Sequence, residues 1–386
     1  MASIKLQGDN SGTLTIEAPS DVGNNTITLP ATTQTLATQN SLGVRNLIIN
    51  GDMRIAQRGT SATLAQGYNT IDRLFCAMVG GAYTQTQDTD VPSGQGFAYS
   101  VKTSCTSALS SPAGGDVILL SQKIEGQNLQ HLKKGTSNAE SLTISFWIKS
   151  NQTGTFVFSF RDQPNSRRNN NLVTIDTADT WEKKTITIEG DTIGTIDNDN
   201  TVGLELQFWL GQGSNYDGGT HVDGWHTEVT NGIAAGTTYE LFSSTSNYIN
   251  ITGVQLEVGD TATPFEHRPY DMELARCQRY CVSYGGTGTY EPFGTGVETN
   301  GTNASTQLGL PVQMRGGISL TSSNVGNLKV SDGIAFATVT SISLDQIGKQ
   351  QVMFNAIVSS GLSSGRSFRL IANNSLAPRI IFTSEL

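Results

Sequence analysis

Between Asn46 and Tyr270 the chain repeats one pattern: short runs of alternating apolar and polar residues, separated by clusters of turn-forming residues. SLTISFWIKS, TFVFSF, KKTITIE, VGLELQFWLG and YINITGVQLEV all alternate with period two, and NLIINGDM sets Asn-Gly after an apolar strand. Period two sends successive side chains to opposite faces of a pleated ribbon, so each run buries one face and shows the other. Many such strands with no helical segment among them predict an antiparallel sandwich. The composition agrees: of 386 residues only 36% are hydrophobic and 15% charged, while Gly, Thr, Asn and Ser are abundant. A helical bundle would need far more Ala, Leu, Glu and Lys.

The length allows about two or three domains, each with its own core. Residues 1–40 hold two short strand patterns, GTLTIEAP and NTITLP, separated by the turn-rich SDVGN. A hairpin of that size buries no core alone and needs a partner, or else remains a loosely ordered arm. Residues 41–269 read as the sandwich, 270–283 as a short linking helix, and 284–386 as a second β-rich, polar domain ending in RIIFTSEL. The expected class is therefore all-β: an antiparallel jelly-roll sandwich, a distal β-domain, one linking helix and an N-terminal β-hairpin arm.

The net charge of −9 argues against nucleic acid or an anionic membrane as partner, since both attract clustered Lys and Arg. The one concentrated basic spot, the RRNNN run at Arg167 to Asn171, reads as a solvated loop. No run approaches a membrane span and MASIKLQGDNSG lacks the apolar core of a secretion signal, so the chain is expected to be made in a cytoplasm and stay soluble. Cys277 and Cys281 stand four apart on the predicted helix, with Cβ atoms about 5–6 Å apart. A disulfide wants roughly 4 Å, so these and Cys76 and Cys105 are expected to be free thiols. No second Cys/His pair has zinc spacing.

The strand faces supply the binding candidates. Leu142, Ile144, Phe146 and Ile148 share one face, leaving Trp147 on the other; Leu204, Leu206, Phe208 and Leu210 likewise leave Glu205, Gln207 and Trp209 opposite. Tryptophans flanked by a carboxylate and an amide suit a saccharide groove. The alternative is that a loop or a neighbouring subunit covers them. The loop Gly211 to Glu228 adds Tyr216 and Trp225, and also carries Asp217, His221, Asp223 and His226, which match no trusted metal arrangement. Asp197-Asn198-Asp199-Asn200 lacks the spacing and closing Glu of an EF-hand and reads as a turn. Neither metal nor cofactor is expected. No carboxylate pair, nucleophile elbow or phosphate loop stands out, so the chain is read as a binder and not an enzyme.

On the helix after Pro269, Tyr270, Leu274, Cys277 and Cys281 form a narrow stripe that would either bundle three helices about an axis or dock on the chain's own sandwich. This helix closes the block ITGVQLEVGDTATPFEHRPYDMELARCQRY, Ile251 to Tyr280. The block closely resembles one found in bacteriophage tail-fibre and related host-attachment proteins, where it joins a carbohydrate-binding-like sandwich to a distal tip. NTITLPATTQTLAT resembles the N-terminal modules of the same fibres, and LPVQMR with the terminal SEL resembles their distal domains. Two departures stand out: Met53-Arg54 follows Asn-Gly-Asp where Phe-Glu is frequent, and Ile71-Asp72-Arg73-Leu74 replaces a motif ending in Trp. The first weakens any inherited calcium site.

The resemblance implies a homotrimeric tail fibre of the virion, assembled in the host cytoplasm. Its N-terminal segment would dock on a phage tail or baseplate protein, and it would bind a host surface glycan without membrane insertion. It favours the trimer axis for Tyr270, Leu274, Cys277 and Cys281. It also offers the distal loops around Tyr290 and Phe293 as an alternative binding tip. Rival readings are a structural virion component (collar, baseplate or head fibre) and a glycan-degrading tailspike.

Overall fold

A computed structural model describes residues 45–386, together with the backbone of two N-terminal strands. Those strands, β1 (Ser3–Gln7) and β2 (Thr13–Glu17), pair antiparallel with Ile4 opposite Ile16 and Leu6 opposite Leu14. GTLTIEAP thus supplies one strand as read, but its partner is the preceding segment; NTITLP lies outside the described residues.

The strands of the sandwich are β3 (Ser61–Thr63), β4 (Gly67–Tyr68), β5 (Phe75–Val79), β6 (Ala82–Asp88), β7 (Ser100–Ser107) and β8 (Val117–Glu125). They continue with β9 (Leu142–Ser150), β10 (Gly154–Asp162), β11 (Arg167–Ile175), β12 (Glu182–Ile188), β13 (Val202–Gln212), β14 (Trp225–Thr227) and β15 (Tyr248–Val258). One sheet runs β14-β11-β10-β13-β8-β5-β4 and the other β12-β9-β15-β7-β6-β3, with antiparallel pairing throughout. The alternating phenylalanines meet between them. Phe146 of one sheet lies 5.0 Å from Phe208 and 5.5 Å from Phe158 of the other, ring centre to ring centre. Leu74, at the position of the missing Trp, joins this core.

RRNNN is no solvated loop. It opens β11, and both arginines are buried because each has a carboxylate partner: Arg167 pairs with Asp191 and Arg168 with Glu228. NLIINGDM also differs from its reading as a strand. It is an irregular segment held by its own side chains: Asn46 Oδ1 accepts from Ile48 N (2.9 Å) and Leu256 N (3.1 Å), and Asn50 Nδ2 donates to Ile55 O (2.9 Å) and Asp72 O (3.0 Å). Gly51 faces β15 so closely that a Cβ there would stand 2.1 Å from the Val254 carbonyl oxygen. Gly51→Ala is therefore expected to lower stability by about 1–3 kcal/mol, seen as a lower urea midpoint at unchanged slope.

After the sandwich comes α1 (Tyr270–Gln278), then β16 (Cys281–Tyr284), β17 (Pro292–Glu298), β18 (Asn303–Gly309), β19 (Ser319–Ser323) and β20 (Leu328–Ser331). The last strands are β21 (Phe336–Ile347), β22 (Gln351–Val358), β23 (Ser367–Ala372) and β24 (Arg379–Thr383). Strands β17-β18-β22-β21-β20-β23 close a barrel, beside a three-stranded sheet β16-β24-β19. Closure leaves these strands no free edge.

The helical stripe does not face outward as a unit. Tyr270 is 57% exposed, whereas Cys277 and Cys281 are fully buried within the chain. Cys277 and Tyr280 pack on Ile49 and Ile55, with Leu274 alongside, and Cys281 lies beyond the helix as the first residue of β16. The stripe thus docks on its own sandwich, the alternative left open by its spacing. Burial is what decides it: Cys277 and Cys281 are spent on internal packing, so they supply no trimer seam, while Leu274 is partly buried beside them. All four cysteines are free and buried, and burial pushes the Cys277 and Cys281 thiols well up.

Candidate functional site

The outer face of the seven-stranded sheet is built from residues whose neighbours in sequence fill the core. On β10, Phe156, Phe158 and Phe160 point inward, so Val157, Ser159 and Arg161 point out. Register then sets three rows across the strands. One row is charged: Arg168, Arg161, Glu205, Lys123. The next is neutral and polar: Asn170, Ser159, Gln207, Ser121, ending at Phe75. The third is apolar: Leu172, Val157, Trp209, Leu119, Ala77.

The segment after β13 folds back over the apolar row. Tyr216 sets its ring 5.4 Å from Trp209, and Ile233 and Ala234 complete a small second core with Val117, Leu119 and Val157. What stays open is a groove of about 300 Å³ over the charged row, flanked by Phe75 on one side and Tyr216 on the other. Its floor is tightly hydrogen-bonded. Arg168 Nη1 donates to Gln207 Oε1 (2.7 Å), Trp209 Nε1 donates to the same oxygen (3.1 Å), and Ser121 Oγ donates to Glu205 Oε1 (2.7 Å). Glu228 accepts from Arg161 Nε (2.9 Å) and Arg168 Nε (2.8 Å).

Burial alone would raise the Glu228 carboxyl, but Arg168 and the Arg161 hydrogen bond outweigh it and hold the group below the usual carboxylate range. Burial brings the Arg168 guanidinium down to about 10, although Glu228 pulls it up. Both groups are charged at neutral pH. The ion pair's contribution to stability is complete above the ordinary Glu pKa, about 4.3, and is lost as pH falls through the lowered value in the fold.

Of the residues singled out in the sequence, Glu205, Gln207, Trp209 and Tyr216 line this groove. Trp209 does so as a covered residue, only 3% exposed, because the returning loop packs on it. Trp147 is not part of the groove. It sits on β9 in the other sheet, half-buried beside Phe97, both rings crowding Gly253. Trp225 is excluded by parity. His226 pairs with Arg168 on the groove face, so Trp225 turns inward, where its Nε1 donates to Glu189 O (3.0 Å). Phe293 is 2% exposed in the barrel core, so it offers no binding surface, while Tyr290 is 63% exposed on the preceding loop.

Sequence reading missed Phe75, Lys123, Arg161, Arg168 and Glu228. For Arg161 the signal was present: it stands one step past the Phe156, Phe158, Phe160 alternation. A wider depression of about 1160 Å³ lies on the barrel wall, around Val297, Gln307, Asp332 and Arg369. Its one aromatic lining residue, Phe368, is buried, so among the described residues no exposed ring faces it.

No protein family model matches the chain, and no curated protein matches it. Similar solved structures include a bacteriophage CBA120 tailspike protein 4 enzymatically active domain, at 15% identity and TM-score 0.30, over 55% of this chain and 21% of that one. A CBM4 structure matches at 15% identity and TM-score 0.29, over 54% of this chain and 97% of that one. TmCBM61 in complex with β-1,4-galactotriose matches at 12% identity and TM-score 0.27, over 55% and 99%. Likeness this distant assigns no ligand and no activity to this chain.

Proposed function

We propose that the chain is a host-attachment protein of a bacteriophage tail fibre, and that its sandwich binds a surface glycan in the groove over β10, β13 and β8. The observation that carries the binding part is the pairing of two half-buried aromatic rings, Phe75 and Tyr216, with a fixed polar floor between them. Ring faces stack on the apolar faces of sugars, and a floor already held in place by Gln207, Arg168 and Glu228 offers hydrogen bonds at small ordering cost. The attachment role is supported by the resemblance of the Ile251 to Tyr280 block. The docking role on the tail proposed for residues 1–40 is supported by the separate resemblance of NTITLPATTQTLAT to the N-terminal modules of such fibres.

Binding without cleavage is the better reading of this groove. Glu228, held ionised by two arginines, is a poor proton donor near neutrality, so the acid that glycoside hydrolysis needs would not be Glu228. A trimer would convert modest affinity at each groove into firm adsorption through multivalency. Its contact surface would have to lie away from Cys277 and Cys281. Light scattering on the full chain should return three times the monomer mass; a monomer at micromolar concentration would remove the multivalency.

The binding claim is tested on a glycan array with the full chain and Tyr216→Ala. Wild type should mark a restricted set of glycans. The variant should lose at least about tenfold in affinity for them, roughly 1.4 kcal/mol. An array left blank by wild type would leave the structural-component reading in its place.

A further inference from the structure

Four charged side chains of the groove, three from the charged row and Glu228 beside it, differ sharply in how open they are. Arg161 has 28% of its side chain exposed, against 4% for Glu205, 2% for Arg168 and 19% for Glu228. The groove is lined by the cations Lys123, Arg161 and Arg168 and the anions Glu205 and Glu228, so three minus two leaves one positive charge. The chain as a whole carries −9.

The carboxylates are already engaged. Glu228 takes donors from both arginines, and Glu205 takes the Ser121 hydroxyl. Arg161 is not saturated in return. Its Nε and Nη2 serve Glu228 at 2.9 and 3.3 Å, but Nη1 reaches Glu205 only at 3.6 Å, beyond hydrogen-bond length. One edge of a planar guanidinium therefore remains to be filled from the groove. Lys123 is engaged elsewhere: its Nζ donates to Leu386 O at 3.0 Å and lies 4.7 Å from the Phe75 ring centre, which leaves Arg161 as the cation with an open edge.

We propose that the groove selects saccharides bearing a carboxylate, and that Arg161 is the residue that reads it. This rests on the groove being the glycan site. A carboxylate meets a guanidinium edge with two parallel N–H···O bonds, a geometry that a neutral hydroxyl does not reproduce. The pyranose ring carrying it would lie against Tyr216 or Phe75.

The test is a glycan array of matched pairs: oligogalacturonates and sialic acid oligomers, each beside its carboxyl-reduced form, together with neutral oligosaccharides. The full chain and Arg161→Gln are compared on it, with thermal melting confirming that the variant folds. The expected result is binding confined to carboxylated members, at least tenfold over the reduced partners, with that preference erased by Arg161→Gln and weakened by high salt. Equal binding of reduced and carboxylated partners, or binding of neutral glycans alone, overturns the proposal while leaving the groove as a glycan site. No binding to any member overturns both.

Discussion

Trp209→Ala is expected to cost about 3–5 kcal/mol of stability, the range for a large aromatic removed from a packed site. Trp209 holds two layers together. Its ring packs among Val117, Leu119, Val157, Ile233 and Ala234, and its Nε1 donates to Gln207, which also fixes Arg168. Deleting it opens a cavity under the returning loop and takes away one of the two donors that orient Gln207. The loss should appear in urea or thermal unfolding of the isolated protein, with no ligand present. A cost under about 1 kcal/mol would place Trp209 among surface substitutions, and the covering loop would then not be packed as described. Trp147→Ala, at a half-buried position on the other sheet, should cost less.

Arg268→Ala should be comparably damaging for an electrostatic reason. Arg268 is buried and donates to the Ile48 carbonyl at 3.0 Å, to the Asn46 carbonyl, and to Glu273 Oε2 at 3.1 Å. Glu273 in turn accepts the Asn50 backbone N–H. Removing the arginine leaves a buried carboxylate and two buried carbonyls short of partners. Breaking one side of a buried pair costs about 3–5 kcal/mol. Replacing Arg268 and Glu273 together by apolar residues should recover part of that loss, because no uncompensated charge remains. A double variant as unstable as the sum of the singles would show that the pair is not coupled.

Period-two alternation made the sandwich legible. Phe146, Phe158 and Phe208 were assignable to an inner face from spacing alone, and the outer placement of Glu205, Gln207 and Trp209 follows from the same parity. Spacing could not show which outer face each strand would serve. Trp147 and Trp209 read alike in sequence but stand on different sheets, since strand order is set by long-range pairing that no local pattern encodes. Burial of Arg167 and Arg168 was hidden for a related reason. Their partners Asp191 and Glu228 lie 24 and 60 residues away, and without them an RRNNN run reads as solvated.

The junction block shows a different limit. In sequence it read as a join between two domains, with Tyr270, Leu274, Cys277 and Cys281 as a stripe for a trimer axis or for docking on the sandwich; Glu266, Arg268, Glu273, Arg279 and Tyr280 were given no role. In the fold they form a clasp: Glu266 accepts the Arg45 and Asn46 amides, and Arg279 pairs with Glu125, which also accepts the Tyr280 hydroxyl. The barrel side is tied in as well, since Glu385 pairs with Arg58 and Arg73. A specific motif marked where chemistry was concentrated, and that chemistry is internal.

On the proposed glycan site, ligand enters the groove between Phe75 and Tyr216. The direct measurement is titration of the full chain, Tyr216→Ala and Trp147→Ala with the strongest glycan from the array, each variant first shown to be folded. Binding at least about tenfold weaker is expected for Tyr216→Ala, and affinity unchanged from wild type for Trp147→Ala. The reverse pattern, with Tyr216→Ala binding normally and Trp147→Ala impaired, would contradict it and move the site to the opposite sheet.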